Sequence, residues 1–169
     1  TLDETITAAT SGDTIVLQKD VKSDTRITIP AGVTLNGNNH SITYTGSDQA
    51  SGAFITVETN GDDVAIQNVT ISTGDNGDEW NYAVQFYCVD GGSMTGVTVK
   101  GGEYAAVIVN GAQNIVLTNC RLDPYSNAYA NIEYAMGSGV TTIPSLTVDG
   151  VTGDSDKPMV RADTGTVTN

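Results

Sequence analysis

The stretch Asn60–Ser72, which reads NGDDVAIQNVTIS, decides the fold. A turn of glycine and aspartate is followed by two short runs of alternating apolar residues that meet at an asparagine. Val64, Ile66, Val69 and Ile71 are expected to point inward, because alternate side chains of a β-strand face opposite sides. The pattern therefore predicts two strands joined by an asparagine corner.

The same arrangement recurs along the chain of 169 residues. Short runs that open with Asn or Gly begin at positions 39, 68, 96, 119 and 150, and a second series of apolar runs, each followed by a glycine-bearing turn, lies between them. A repeat with three short strands has no room for a crossover helix, so we predict a parallel β-helix in which each repeat forms one coil. A two-sheet sandwich is the alternative, but it would not require corner and turn to recur in register.

The first residues of the chain do not follow the strand pattern of the repeats. Leu2, Ile6 and Ala9 have near-helical spacing, and two acidic residues stand in the first turn. Solenoids must cover their open ends, so we predict a helical cap over residues 1–11. Residues 12–169 are then expected to form about five to six coils of the same single domain, 1–169.

Two further runs, SGDTIVL and ITIPAGVTLNGNNHSIT, follow the predicted helix. Together they resemble the opening of pectate-lyase-like modules, which are right-handed parallel β-helices found in large secreted and surface proteins of bacteria and some archaea. The resemblance implies an all-β fold with three strands per coil. It also implies an adhesin-like module of a longer extracellular or cell-surface protein.

Composition excludes some partners. The chain carries 20 acidic and 7 basic residues, a formal net charge of −13, which disfavours nucleic acid and anionic membranes. No apolar run is long enough to span a bilayer. Cys88 and Cys120 lack metal-ligand spacing and are expected to be two small buried apolar residues, with a disulfide as the alternative. The single His40 is expected to be a polar turn residue, and we predict a monomeric module.

An enzymatic interpretation rests on the Gly-Asp-Asp turn. It resembles the Gly-Asp-Asp run that carries catalytic carboxylates in polygalacturonate hydrolases, and stacking of coils would bring Asp63 near Asp90. The family's Asn-Thr-Asp, Gly-His-Gly and Arg-Ile-Lys motifs are missing from this sequence. We therefore predict a protein that is not an enzyme. A lyase or hydrolase of acidic polysaccharide acting through Asp62, Asp63 and Asp90 is the alternative.

A binding interpretation rests on the loops that precede the first strand of each coil. Aromatic rings beside a polar sheet suit glycans and protein surfaces. In the strands beside these loops, alternation predicts that Val57, Phe86, Val109 and Tyr134 point inward. The predicted binding residues are Trp80, Tyr82, Tyr87, Tyr104, Tyr125, Tyr129, Glu58 and Gln85. The expected partner is carbohydrate or a host or matrix surface, with a rigid spacer as a further possibility. The aromatic rings could instead cover the backbones of their own loops.

The loop GDNGDEW, residues 74–80, contains clustered oxygen ligands. Asp75, Asp78 and Glu79 are the candidate calcium ligands, because Ca²⁺ prefers carboxylates on a flexible loop. The spacing does not match a twelve-residue calcium loop, and a solvated acidic loop is the alternative. No cofactor is predicted to be required, and Ca²⁺ is the one candidate ion.

Overall fold

The protein is described by a computed structural model that covers residues 1–47, 50–57, 61–74, 80–162 and 166–168. The helix α1 spans Leu2–Thr7. The strands are β1 (Thr14–Val16), β2 (Val21–Ser23), β3 (Ile27–Ile29), β4 (Thr34–Asn36), β5 (Ser41–Tyr44), β6 (Ala50–Val57), β7 (Val64–Gln67), β8 (Thr70–Ser72), β9 (Trp80–Tyr87), β10 (Asp90–Thr95), β11 (Thr98–Lys100), β12 (Ala105–Asn110), β13 (Gln113–Thr118), β14 (Arg121–Asp123), β15 (Ile132–Ala135), β16 (Ser145–Asp149), β17 (Val160–Ala162) and β18 (Thr166–Thr168).

These strands form three sheets. Sheet 1 has the order β1-β4-β7-β10-β13-β16-β18, sheet 2 the order β2-β5-β8-β11-β14, and sheet 3 the order β3-β6-β9-β12-β15-β17. Each strand pairs in parallel with the equivalent strand of the next coil. This is the predicted all-β, right-handed parallel β-helix of the pectate-lyase-like type, and that prediction is confirmed.

The core is a set of stacked columns inside the coil. In sheet 1 the ladder places one apolar residue of each coil against the next, in the column Leu35, Ile66, Met94, Leu117 and Val148. All five side chains are buried. The inward positions predicted from the opening stretch are likewise buried, so period-two alternation identified the core side of these strands.

Asparagine and glycine alternate at the corner between sheets 1 and 2. Asn68, Gly96, Asn119 and Gly150 have φ angles of 49°, 62°, 51° and 63°, a left-handed conformation that these two residue types tolerate. The coil that contains Gly96 separates Asn68 from Asn119, so the two asparagines do not lie in adjacent coils. A Cβ atom at Gly96 would lie 3.0 Å from Asn68 Oδ1, so the asparagine side chain fills the space that the glycine leaves.

The helix α1 covers part of the first coil. It begins with a capping box in which the Thr1 side chain accepts a hydrogen bond from the Glu4 backbone amide, and the Glu4 carboxylate accepts one of 2.7 Å from the Thr1 amino group. Ile6 is its buried residue, and the helix lies against β2 and β3. The predicted capping helix is confirmed, although it is shorter than the stretch 1–11 assigned to the cap.

The two cysteines differ in burial, and both are free thiols. Cys120 is buried as predicted, whereas Cys88 is half-buried because it occupies the bend that follows β9, with a φ of 51°. The prediction of two buried cysteines is therefore wrong for Cys88.

Within the described part of the chain, no helix has the length and apolar character needed to cross a membrane.

Candidate functional site

An open groove of about 410 Å³ lies on the outward face of sheet 3. Strands β6, β9, β12 and β15 form its floor, and the segments around them form its walls. Its described lining consists of Gly52, Asn81, Tyr82, Gln85, Tyr104, Ile108, Asn110, Glu133, Ala135, Met136 and Gly137. Amide and phenol groups dominate this lining, and Glu133 carries its one charge.

The register of sheet 3 builds the floor of the groove. Gln85 on β9 pairs with Ile108 on β12, Ile108 pairs with Glu133 on β15, and Glu133 pairs with Arg161 on β17. Their neighbours Phe86, Val109 and Tyr134, which sequence alternation placed inward, are fully buried on the opposite side. Parallel stacking thus places Gln85, Ile108 and Glu133 in a row on the floor of the groove, and Arg161 continues the row beyond the described lining.

The side chains of Tyr82 and Glu133 are joined across two coils. The Tyr82 hydroxyl donates a hydrogen bond of 2.8 Å to Glu133 Oε2, and both residues are half-buried. Burial of the phenol raises the pKa of Tyr82 above its ordinary value of 10.0, and the hydrogen bond to Glu133 and the negative charge of Glu133 raise it further. Tyr82 therefore remains a neutral hydrogen-bond donor to the carboxylate at ordinary pH.

This raised pKa has a consequence for stability at alkaline pH. In the unfolded chain a tyrosine ionises near pH 10, while folded Tyr82 still holds its proton. Its contribution to stability is therefore complete below about pH 10 and declines as the pH rises above that value. We expect the free energy of unfolding to fall more steeply above this pH in the native chain than in Tyr82→Phe, as measured by urea unfolding. Identical pH profiles would contradict the raised pKa.

A ledge of three tyrosines borders the groove. The ring centroids of Tyr82 and Tyr104 are 5.9 Å apart, and those of Tyr104 and Tyr129 are 5.6 Å apart. The Arg161 guanidinium lies over the Tyr129 ring, 5.2 Å from its centroid. Tyr104 is 36% exposed and Tyr129 57% exposed, so the outer part of the ledge is open to solvent. Aromatic faces in this setting can stack on a ligand.

A polar chain supports the upper wall of the groove. Arg26 donates to the carbonyls of Ser51 and Ala53 at 2.7 and 3.0 Å, on either side of Gly52. The Gly52 amide donates to Asn81 Oδ1 at 3.0 Å, and Asn81 Nδ2 donates to a Glu103 oxygen at 3.3 Å. These bonds fix the irregular pairing between β6 and β9 next to the groove.

Trp80 does not belong to an exposed ledge, and that part of the prediction is wrong. It begins β9, where it pairs with Ala50, and its side chain is only 3% exposed. The ring packs against Tyr44 and Phe54 at centroid distances of 5.3 and 6.1 Å, beneath the Arg26 guanidinium. Trp80 was predicted to end the loop of residues 74–80, whereas β9 begins at this residue. The pairing of β9 with β6 places the Trp80 side chain in the core.

The remaining predicted binding residues have separate locations. Tyr125 reaches back into its loop region, with its hydroxyl donating to the Gly74 carbonyl at 2.8 Å and lying 2.9 Å from Thr73 Oγ1. It therefore covers neighbouring loop backbone, which was the alternative for these aromatic residues. Tyr87 is half-buried at the end of β9 and does not line the groove, and Glu58 lies outside the described residues. Tyr82, Gln85 and Tyr104 are the three predicted residues that line the groove.

Arg161 is a site residue that sequence reasoning missed. It pairs with Glu133 in the ladder, because Val160 pairs with Ile132 one position earlier. An alignment of the apolar runs on their inward residues would have placed Arg161 beside Glu133.

Asp62, Asp63 and Asp90, the catalytic candidates of the alternative enzymatic interpretation, stabilise the turn in which they lie. Asp62 Oδ1 accepts a hydrogen bond of 2.8 Å from the Asp90 backbone amide, and Asp90 Oδ1 accepts one of 2.6 Å from the side chain of Asn114. Asp63 occupies the left-handed position of the turn, with a φ of 59°, and its carboxylate lies over Gly91. The stacking of these acids matches the expectation, but each contact stabilises a bend between coils.

A metal centre has no support among the described residues. In ranges 1–47, 50–57, 61–74 and 80–162, no three His, Cys, Asp or Glu side chains cluster as ligands would. The candidate calcium ligands Asp75, Asp78 and Glu79 lie outside the described residues, so the calcium hypothesis remains a prediction.

Comparison with known proteins identifies the fold. No protein-family model and no curated protein sequence matches the chain. Among solved structures, it is similar to a candidate glycosyl hydrolase from Parabacteroides merdae ATCC 43184, with a TM-score of 0.64 and 9% identity, over 96% of this chain and 81% of that one. It is also similar to pectin methylesterase, solved as a mutant with hexasaccharide IV and in complex with hexasaccharide VII. Each match has a TM-score of 0.48 and 15% identity, over 92% of this chain and 62% of the other.

One of these neighbours contradicts a prediction. The chain was expected not to be an enzyme, whereas the similar structure with a TM-score of 0.64 is a candidate glycosyl hydrolase. The non-enzymatic prediction is therefore withdrawn. At 9% identity the first likeness establishes a shared fold, and a TM-score of 0.48 is too low for the other two to carry an argument about this chain.

Proposed function

We propose that this protein is a carbohydrate-active enzyme that binds a glycan in the groove on sheet 3 and cleaves its glycosidic bonds there. Glu133 is the proposed acid–base residue. The observation that carries this proposal is the 2.8 Å hydrogen bond from Tyr82 to Glu133 on the floor of an open groove. A positioned carboxylate at a cleft surface is what general acid–base catalysis requires.

The surroundings of Glu133 support a glycan as the substrate. Sugars offer hydroxyl groups, which pair with amides, and flat apolar faces, which stack on aromatic rings. Gln85 and Asn110 supply amides in the groove, and Tyr104 and Tyr129 supply exposed rings beside it. The ledge crosses successive coils, so a glycan stacked on it would run along the axis of the solenoid.

The groove is a better catalytic candidate than the aspartate turn. Asp62 and Asp90 each use one side-chain oxygen to stabilise a bend between coils, and neither lines the groove. Glu133 has one oxygen bonded to a phenol and faces an open volume of about 410 Å³. The proposal therefore keeps the polysaccharide-cleaving alternative and moves its carboxylate from the turn to sheet 3.

Removal of the ledge tests where the glycan binds. The native chain is incubated with galactan, mannan, xylan, β-glucan, polygalacturonate and methyl-esterified polygalacturonate, and reducing ends and unsaturated products are measured. For any degraded polysaccharide, we expect Tyr104→Ala with Tyr129→Ala to weaken oligosaccharide binding about tenfold or more, because two stacking faces are lost. Calorimetry measures the affinity.

Tyr87→Ala is the matched control for the ledge variants, since Tyr87 is a half-buried tyrosine at the end of β9 that does not line the groove. It should bind as the native chain does. Equal loss in the control and the ledge variant would count against the proposed groove. Absence of product from every polysaccharide would refute cleavage of these glycans.

A further inference from the structure

The described lining of the groove contains a single formally charged side chain. Of its eleven described residues, Glu133 alone is an acidic or basic residue, and its formal charge is negative. Glu103 stands just behind the lining, bonded to Asn81, and adds a second negative charge nearby. The described lining contains no lysine, arginine or histidine.

Two arginines lie close to the groove but outside its described lining. Arg26 donates from its Nε and one terminal nitrogen to two backbone carbonyls and lies over Trp80. Arg161 stacks on Tyr129 at the rim, next to Glu133 in the ladder. The described floor of the groove therefore contains no guanidinium as the bidentate partner that a sugar carboxylate would need.

The uncharged polar groups of the floor remain available. The Gln85 side chain makes no hydrogen bond to another described residue, and Asn110 uses its Oδ1 on the Gly137 amide at 2.7 Å while its Nδ2 has no such partner. An amide both donates and accepts hydrogen bonds, as a sugar hydroxyl does. These two amides can therefore recognise hydroxyl groups without any ion pair.

We propose that the groove takes an uncharged glycan and rejects polyuronates. This inference rests on the proposed function and names the substrate class of the same site. A uronate seated beside Glu133 would face a like charge in a partly desolvated groove, on a chain whose net charge is already −13. A neutral sugar meets the same groove without this penalty.

Matched probes test the inference on the native chain. Homogalacturonan oligosaccharides of one length, as free acid and as methyl ester, are placed on a glycan array beside neutral manno-, xylo-, galacto- and gluco-oligosaccharides. We expect neutral spots to bind and every free-acid spot to bind at least about tenfold more weakly than the best neutral spot. Calorimetry should give a neutral-glycan affinity that is unchanged from about 20 to about 500 mM salt, since no charge pair is screened.

A charge substitution provides a gain-of-binding test. Gln85→Lys places a cation in the row on sheet 3 and should raise binding of the free-acid oligosaccharide about tenfold. Arg161→Ala removes the guanidinium that stacks on Tyr129 at the rim and tests whether this group anchors acidic sugars. If circular dichroism shows that Gln85→Lys does not fold, the array result on the native chain still tests the substrate class.

The outcomes separate this inference from the proposed function. Free-acid spots bound as tightly as neutral ones would overturn the substrate class and leave a glycan-binding groove in place. Binding to no spot at all would overturn the proposed function and this inference with it. Loss of free-acid binding in Arg161→Ala would identify Arg161 as an anchor for acidic sugars and contradict the inference.

Discussion

Glu133→Gln is expected to lower the rate of glycan cleavage by about 10²- to 10⁴-fold, the usual contribution of a general acid–base residue. The substitution keeps the size of the side chain and its ability to accept a hydrogen bond from Tyr82, but it removes the proton-transferring carboxylate. Oligosaccharide affinity should change by only a few-fold, because the amide still bonds to hydroxyl groups. Initial rates on the most rapidly degraded polysaccharide and calorimetry of the cognate oligosaccharide measure both effects.

Asp63→Asn is the matched control for Glu133→Gln. It also exchanges a carboxylate for an amide, and asparagine tolerates the left-handed φ of 59° at this position. We expect it to retain the native rate. A large loss of rate in Asp63→Asn with little loss in Glu133→Gln would return catalysis to the aspartate turn and refute the role of Glu133.

Asn131→Ala is expected to reduce the free energy of unfolding by about 2–4 kcal/mol. Asn131 is 1% exposed and immediately precedes β15, the strand that carries Glu133. Its Oδ1 accepts from the Asp154 amide at 2.8 Å, and its Nδ2 donates to the carbonyls of Asp154 and Pro158 at 3.1 and 3.2 Å. Alanine would leave the half-buried Asp154 amide without this partner, whereas the two carbonyls would keep the backbone amides of Lys157 and Asn131.

The control for Asn131 is Asn127→Ala, in which an exposed asparagine of the preceding loop is removed. Its effect should lie within about 0.5 kcal/mol of zero, as for most surface substitutions. Equilibrium urea unfolding of both variants gives the comparison. A loss below about 0.5 kcal/mol for Asn131→Ala would mean that water replaces the side chain and that the loop 151–158 is held by other contacts.

The coil could be predicted because its rules are local. Strand alternation placed Phe86, Val109 and Tyr134 inward, and the recurring corner at Asn68 identified the bend between two sheets. Each rule depends on a residue and its immediate neighbours in the chain. The capping helix could be predicted for the same reason.

The site could be predicted only in part because it depends on register between coils. Tyr82 and Glu133 are 51 positions apart in sequence, and the ladder brings their side chains within hydrogen-bonding distance across β12. The register between coils also decides at which residue a strand begins. β9 begins at Trp80 because it pairs with β6 there, and this pairing buried a residue that composition alone made a candidate for the surface.

The central claim is that glycan binds over Tyr82, Gln85 and Glu133 on sheet 3. Backbone amide chemical-shift mapping with an uncharged oligosaccharide that binds on the array tests this claim most directly. We predict the largest shifts at these residues and at Tyr104 and Asn110, with none at the aspartate turn. Shifts concentrated at residues 62–63 and 90–91, with sheet 3 unchanged, would contradict the claim.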